Sequence, residues 1–370
     1  MPAGRMYFLD NLKWFIIWLM VVFHGAMCYM AYAPDWWYVV DPAQPVFSAT
    51  VFVCWADIFI MPVMFFASGY FGLMSLSRSG IGAFWRKKIV RILLPWFFGA
   101  VFIAPFVTYI ILASRHSPMG FFEFYTTLFW GPLYQQAQYW YLGALSMLYV
   151  MLALAANFFP SLCTNRKKRA PSLGGCLGLL LVLVVSIGIL SSFMHPDTWT
   201  FYLYFLVLQP VRIPMYIAVF FAGALAWKWK WFDDGGYVPS AGIWGAVFAL
   251  AGAFYLWQKF FLPGRMEEWA LVWANALAMG IFVMSALFSF PGFFHRFLNG
   301  TNPVLSALSE TSYGVYYVHM PILFCVAWAF VGVGLNVYAK YACVCTLSLS
   351  ACFWAARHIL SHVASFTTKS

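Results

Sequence analysis

Four ionisable residues lie inside long apolar stretches of this chain: His24, Asp57, Arg212 and His319. A charge is costly at membrane depth, so such residues usually persist where they pair, line a polar cavity or take part in chemistry. Their types suit proton transfer, because an imidazole titrates near neutral pH and a carboxylate can orient it. These four side chains are therefore the first candidates for a functional site.

The elements that must position these residues are membrane helices. Of the 370 residues, 64% are hydrophobic and only 9% are charged, whereas soluble domains carry roughly 25% charged residues. Apolar runs of about 20 residues predict an all-α, polytopic bundle of about ten transmembrane helices. The predicted segments are 12–33, 47–74, 90–113, 140–160, 173–193, 201–227, 240–261, 269–290, 304–331 and 335–360. No second domain is visible, so we expect one membrane-embedded domain over residues 1–370.

The net charge of +10 is concentrated in alternate loops, which include residues 78–91, 166–169 and 228–230. Basic loops mark the cytoplasmic side of a membrane protein. Both termini are therefore predicted to be cytoplasmic. Because the charge follows topology, we expect a lipid bilayer and no nucleic acid as partner. The expected location is the bacterial inner (cell) membrane, as a multi-pass protein.

The four ionisable residues are predicted to lie at one depth. At 1.5 Å per residue, His24 is roughly 18 Å along the first helix and Asp57 roughly 15 Å below the outer surface. Arg212 is about eleven residues down the sixth segment and His319 about fifteen residues up the ninth. These positions fall near the midplane of a hydrocarbon core about 30 Å thick, which predicts one polar chamber. The alternatives are an Asp57–Arg212 ion pair that only braces the bundle, and histidines that only bridge helices.

A basic run, Trp85–Arg91, stands at the predicted cytoplasmic mouth of the third segment. On a helix Lys88 and Arg91 share one face, with Arg86 close by. Clustered cations of this kind suit phosphate groups, arginine through a bidentate fork and lysine as a point charge. Ordinary positive-inside anchoring, or attraction to anionic lipid heads, is the alternative.

The eight cysteines lack the Cys-x-x-Cys spacing of a zinc site, and most lie within apolar segments. Buried cysteines usually behave as small hydrophobic residues. We therefore expect no metal site.

Four short motifs resemble, in order and position, those of the membrane acyltransferase family 3, which includes sugar O-acetyltransferases and glucan succinyltransferase-like proteins. They are Lys13-x10-His24 after Tyr7–Leu12, then Phe65–Phe71, then Lys88-x-x-Arg91 leading into Pro95, and Leu308–His319. Lysine stands at positions 13 and 88 where the family usually has arginine. That change keeps the charge and loses the planar fork.

The resemblance implies an enzyme that transfers an acyl group from cytoplasmic acyl-CoA to a hydroxyl of a carbohydrate or glycan. The donor, acetyl-CoA or succinyl-CoA, is expected as a co-substrate, with no tightly bound cofactor. Such chemistry needs a base, stabilisation of an oxyanion and a cationic site for the donor phosphates.

Residue roles follow from the resemblance and the depth argument together. His24 is the expected general base, and Asp57, by depth alone, is expected to orient it. His319 is left with three possible roles: donating to the thioester oxygen, holding the acceptor, or carrying the acyl group. Arg212 is expected to bind an oxyanion or a substrate carboxylate. The expected donor-binding residues are Lys13, Arg86, Lys88 and Arg91.

Two other function classes fit the same polar residues. A proton-coupled secondary transporter would use them as a midplane binding site. A membrane scaffold would keep the fold without chemistry.

Overall fold

A computed structural model describes residues 6–32, 37–117, 119–164, 166–203, 205–363 and 366. Within these ranges, eight helical stretches are long and apolar enough to cross a membrane. One of them, Phe47–Ser114, contains two of the predicted segments, and a shorter apolar helix covers Ile213–Lys228. The prediction of a polytopic, all-α membrane protein is confirmed.

The helices follow one another with few long connections. They are α1 (Tyr7–Met27), α2 (Phe47–Asp57), α3 (Ile60–Lys88), α4 (Leu94–Phe98), α5 (Ala104–Ser114), α6 (Phe121–Phe124), α7 (Trp140–Phe158), α8 (Leu173–Ser191), α9 (Ile213–Lys228), α10 (Ala241–Phe261), α11 (Glu268–Phe297), α12 (Pro303–Phe330) and α13 (Val337–His358). Shorter turns are π-helical at Ile89–Leu93, Gly99–Ile103 and Tyr125–Phe129, and 3₁₀ at Ala137–Tyr139, Pro160–Leu162 and Leu360–His362. Strands β1 (Thr200–Tyr202) and β2 (Leu206–Leu208) form an antiparallel hairpin.

The chain divides into two compact units, each built from three separate stretches. Unit 1 comprises Met1–Lys13, Asp57–Lys87 and Ala144–Asn302, and unit 2 comprises Trp14–Ala56, Lys88–Gly143 and Pro303–Ser370. His24 and His319 belong to unit 2, whereas Asp57 and Arg212 belong to unit 1. The expectation of one domain over residues 1–370 stays a prediction.

In unit 1, α3 and α9 approach each other closely enough for their backbones to touch. A Cβ atom added at Gly223 would lie 1.9 Å from the carbonyl oxygen of Phe66, and one added at Gly69 would lie 1.9 Å from that of Phe220. Small residues allow such approaches between membrane helices, where dispersion contacts replace the hydrophobic effect as the main attraction. The two glycines therefore set the spacing of these helices.

In unit 2, a buried ion pair ties the loop after α1 to α13. Lys340 Nζ lies 2.5 Å from Asp41 Oδ2, and the two side chains are 1% and 3% exposed. Removing one partner of such a pair would leave an uncompensated buried charge. Arg115 adds a second tie to this loop through a 3.1 Å bond to the carbonyl oxygen of Tyr38. The loop is thus held at Tyr38 and at Asp41.

The prediction of a membrane helix over residues 201–227 is wrong in its first half. The described residues 201–203 and 205–212 are not helical: they contain most of the β1–β2 hairpin, and α9 begins only at Ile213. Pro214 lies in the first turn of α9, where a proline is tolerated because no helical acceptor awaits its missing N–H. Arg212 is consequently the residue that precedes α9, not one eleven residues inside a helix.

We predict that Gly223→Ala lowers the free energy of unfolding by about 1–3 kcal/mol, because its Cβ would displace the backbone of α3. Gly178→Ala in α8 is the matched control, since a Cβ there meets nothing within 4 Å. Reversible unfolding in mixed detergent micelles measures both. Equal stability of the two variants would contradict the close backbone approach.

Candidate functional site

The two predicted histidines lie against each other in unit 2. The rings of His24 on α1 and His319 on α12 stack with centroids 5.2 Å apart and planes 28° from parallel. Tyr38 also stacks on His24, at 5.8 Å and 20°, and its hydroxyl lies 3.0 Å from His24 Nδ1. His319 is completely buried, whereas His24 is half-buried. His24 is therefore the more accessible of the two imidazoles.

The hydrogen bond at Nδ1 fixes the tautomer of His319. This atom lies 2.6 Å from the carbonyl oxygen of Tyr316. A carbonyl only accepts, so Nδ1 carries the hydrogen and Nε2 of the neutral ring is a hydrogen-bond acceptor. Within the described chain, Nε2 is buried with no hydrogen-bond partner. A neutral His319 can thus accept a proton or a hydrogen bond at Nε2, and it cannot donate one there.

Pro321, two residues after His319, leaves one carbonyl of α12 without its helical hydrogen-bond donor. Proline has no N–H, and the carbonyl it would serve is that of Tyr317, four residues earlier. The Tyr139 hydroxyl donates to this oxygen over 2.7 Å, and Gln138 Nε2 over 3.0 Å. The Ala137–Tyr139 turn therefore caps α12 in its middle.

The same turn also accepts a bond from α12. The Tyr316 hydroxyl donates to the carbonyl oxygen of Gln138 over 2.6 Å. Three hydrogen bonds consequently join the Ala137–Tyr139 turn to two consecutive residues of α12, and all the groups that make them are buried. Because His319 bonds to the carbonyl of one of these residues, the turn helps to fix its position.

A second proline repeats the arrangement at the basic motif. Pro95 has no N–H for the carbonyl of Arg91, and the Tyr313 hydroxyl donates to that oxygen over 2.6 Å. The Tyr317 hydroxyl in turn donates to the carbonyl oxygen of Pro95 over 3.1 Å. The helix that carries His319 therefore also holds the backbone of the Lys88-x-x-Arg91 motif.

The basic motif crosses from α3 into a π-helical turn. Lys88 ends α3, and Arg91 lies within Ile89–Leu93. Both side chains are half-buried, whereas Arg86 is exposed. Short π-helical insertions recur at functional sites, where they change the direction of side chains relative to a continuous α-helix.

Asp57 and Arg212 form an ion pair in unit 1, and a third residue joins them. Arg212 Nη2 lies 2.5 Å from Asp57 Oδ2 and 2.9 Å from Asp197 Oδ1. The guanidinium side chain is 6% exposed and the two carboxylates are 31% and 32% exposed. This geometry fits the alternative in which an Asp57–Arg212 ion pair only braces the bundle. The expected roles of Asp57 beside His24 and of Arg212 towards substrate stay predictions, and Nδ1 of His24 bonds instead to Tyr38.

Lys13 contacts a second motif of unit 1. Its Nζ atom lies 3.5 Å from the centroid of the Phe71 ring and 3.7 Å from Asp10 Oδ1. A cation over an aromatic face is attracted by the ring quadrupole. Two of the segments that carry the family resemblance therefore pack together, while donor binding by Lys13 stays a prediction.

Tyr38 and Asp197 were missed as site residues. Both lie in connecting segments, so no helical periodicity marks them. For the capping bonds, the available signal was the spacing of the prolines: Pro321 and Pro95 stand four residues after Tyr317 and Arg91, which predicts two carbonyls that need outside donors.

We predict that Tyr313→Phe lowers the free energy of unfolding by about 1–3 kcal/mol, because the carbonyl of Arg91 loses its donor in a dry environment. Tyr125→Phe is the control, since the hydroxyl of Tyr125 makes no hydrogen bond within the described residues. Unfolding in mixed micelles compares them. An equal fall in the free energy of unfolding for both variants would show that the hydrogen bond from Tyr313 to the Arg91 carbonyl adds no stability of its own.

The chain is similar to known proteins over most of its length. A family model described as an acyltransferase domain matches residues 6–357. The chain is similar to proteins named glucans biosynthesis protein C. It is 26% identical over 343 residues to that of Escherichia coli O1:K1 / APEC, and 25% identical over 343 residues to that of strain UMN026. Each match covers 87% of this chain and 83% of the relative. No solved structure matches the chain.

Proposed function

Since the chain belongs to this acyltransferase family, we propose that it transfers an acetyl or succinyl group from cytoplasmic acyl-CoA to a hydroxyl of a carbohydrate. It is a multi-pass membrane acyltransferase with bacterial relatives. The name of those relatives, glucans biosynthesis protein C, supports a glucan-type acceptor. Family membership also favours an enzyme over the transporter and the scaffold.

The observation that carries the proposal is the His24–His319 stack, with the Tyr38 hydroxyl at His24 Nδ1. His24 is half-buried, the more exposed of the two imidazoles, and is therefore assigned as the base. It takes the proton of the acceptor hydroxyl as the oxygen attacks the thioester carbonyl. The tetrahedral intermediate then expels the CoA thiolate, which leaves with that proton as a thiol. Tyr38 orients the imidazole through Nδ1.

Donor binding is assigned to the cationic residues of the motifs. Lys88 and Arg91 are half-buried beside one another, which favours desolvated contacts with phosphate. Arg86 and Lys13 add charge for a polyanionic donor. The lysines at positions 13 and 88 bind phosphate as point charges, without a bidentate fork. Arg212 would serve a diacid acyl group such as succinyl, whose free carboxylate needs a cation.

We predict that His24→Ala lowers turnover by about 10²–10⁴-fold with little change in the KM for donor, because it removes the base and not the donor site. The assay follows acyl transfer from radiolabelled acetyl-CoA and succinyl-CoA by purified protein in detergent. His358→Ala, an exposed histidine at the end of α13, is the control. Undiminished turnover by His24→Ala would refute its role as the base.

We predict that Arg91→Gln raises the KM for acyl-CoA about tenfold or more, since a charge-assisted contact to phosphate is lost. Lys87→Gln removes an exposed charge from the same run and is the matched control. If both variants raised the KM equally, the effect would be general attraction of an anion and not a specific donor site.

A further inference from the structure

Among the buried acceptors of unit 2 that have no hydrogen-bond partner within the described residues, two belong to side chains that bond to the same turn of α12: His319 Nε2 and Gln138 Oε1. The residues are 0% and 3% exposed. Leaving such a group unpaired in a dry interior is costly, so each buried acceptor without a donor calls for a physical explanation. Neither atom takes part in the chemistry assigned to His24.

Each of the two open atoms must be a hydrogen-bond acceptor, because the other polar atom of the same side chain donates to a backbone carbonyl. Gln138 bonds to the carbonyl oxygen of Tyr317, which only accepts, so the amide must present its NH₂ group there. Its Oε1 is therefore the open atom. The same argument makes Nε2 the acceptor of His319, because Nδ1–H donates to the carbonyl of Tyr316. Both open atoms require a donor.

The side chains that carry the two acceptors are both held by backbone carbonyls of one turn of α12. Their partners are the consecutive carbonyls of Tyr316 and Tyr317, and the Tyr139 and Tyr316 hydroxyls lock the 138–139 backbone to the same turn. His24 stacks directly on His319. A ligand bound to the two acceptors would therefore lie beside the half-buried imidazole assigned as the base.

We propose that His319 Nε2 and Gln138 Oε1 form the subsite that binds the acceptor, each accepting a hydrogen bond from one of two neighbouring hydroxyl groups of a carbohydrate. This inference rests on the proposed acyl transfer. It selects the acceptor-holding role among the three left open for His319. It also makes the enzyme selective for ligands with adjacent hydroxyls, since a simple alcohol supplies only one donor.

A neighbouring glutamine provides a matched control. Gln136 is as deeply buried, but both ends of its amide are paired: Oε1 accepts from Trp96 Nε1 over 3.2 Å, and Nε2 bonds to the Tyr134 hydroxyl over 3.1 Å. Gln136→Leu therefore tests the loss of a buried amide in the same segment without removing an open acceptor. In Gln138→Leu, the Tyr139 hydroxyl still caps the Tyr317 carbonyl.

The test measures transfer from radiolabelled acetyl-CoA and succinyl-CoA to gluco-oligosaccharides and to methyl glucoside by wild type, Gln138→Leu and Gln136→Leu. We expect Gln138→Leu to raise the KM for the acceptor about 5- to 30-fold, with the KM for the donor unchanged. Gln136→Leu should leave the KM for the acceptor unchanged. An unchanged acceptor KM in Gln138→Leu would overturn the subsite and indicate that water alone fills it.

A second measurement varies the ligand, first with the wild type and then with Gln138→Leu. Monodeoxy analogues of methyl glucoside remove one hydroxyl at a time, and one of them should raise the KM of wild type by the same factor as Gln138→Leu. That analogue should cause no further rise in Gln138→Leu. Independent, multiplying losses would overturn the contact. Absence of transfer by wild type to every acceptor, with either donor, would instead overturn the proposed function itself.

Discussion

The carbonyl of Tyr317 is the group on which the histidine site depends. A bilayer offers no water to pair a backbone oxygen, so each carbonyl that a proline deprives of its helical donor needs another. Pro321 creates this need within one turn of His319, and the Tyr139 hydroxyl with the Gln138 amide meets it. The Ala137–Tyr139 turn is thereby held at the carbonyl that α12 leaves without a helical donor. The open acceptor of Gln138 follows from the same requirement, because its NH₂ is already committed.

The second proline, Pro95, extends this principle to the Lys88-x-x-Arg91 motif. Tyr313, Tyr316 and Tyr317 share one face of α12 at i, i+3 and i+4, and all three hydroxyls donate to backbone carbonyls of unit 2. A neutral phenol suits this task because it supplies one donor without introducing a charge into the membrane interior. One helix face thus holds the backbone of the Lys88-x-x-Arg91 motif and the Ala137–Tyr139 turn beside His319.

Much of the fold, and part of the site, could be predicted from sequence for local reasons. Hydropathy and length report directly on membrane helices. A histidine in an apolar run is conspicuous, so His24 and His319, whose rings stack in the structure, could be named from sequence, while their roles stay predictions. The hairpin before α9 was missed because an apolar stretch interrupted by prolines has the same hydropathy as a helix. Tyr38 and Asp197 were missed because loop residues reach their partners through tertiary contacts that spacing along the chain does not encode.

The central claim is that Tyr139 matters because Pro321 withholds an N–H, and a double-mutant cycle tests it most directly. The measurement is the free energy of unfolding in mixed micelles for wild type, Tyr139→Phe, Pro321→Ala and the double variant. Pro321→Ala restores a backbone donor to the Tyr317 carbonyl, so Tyr139→Phe should cost about 1 kcal/mol or more in the wild type and clearly less beside alanine. An equal cost in both backgrounds would contradict the account.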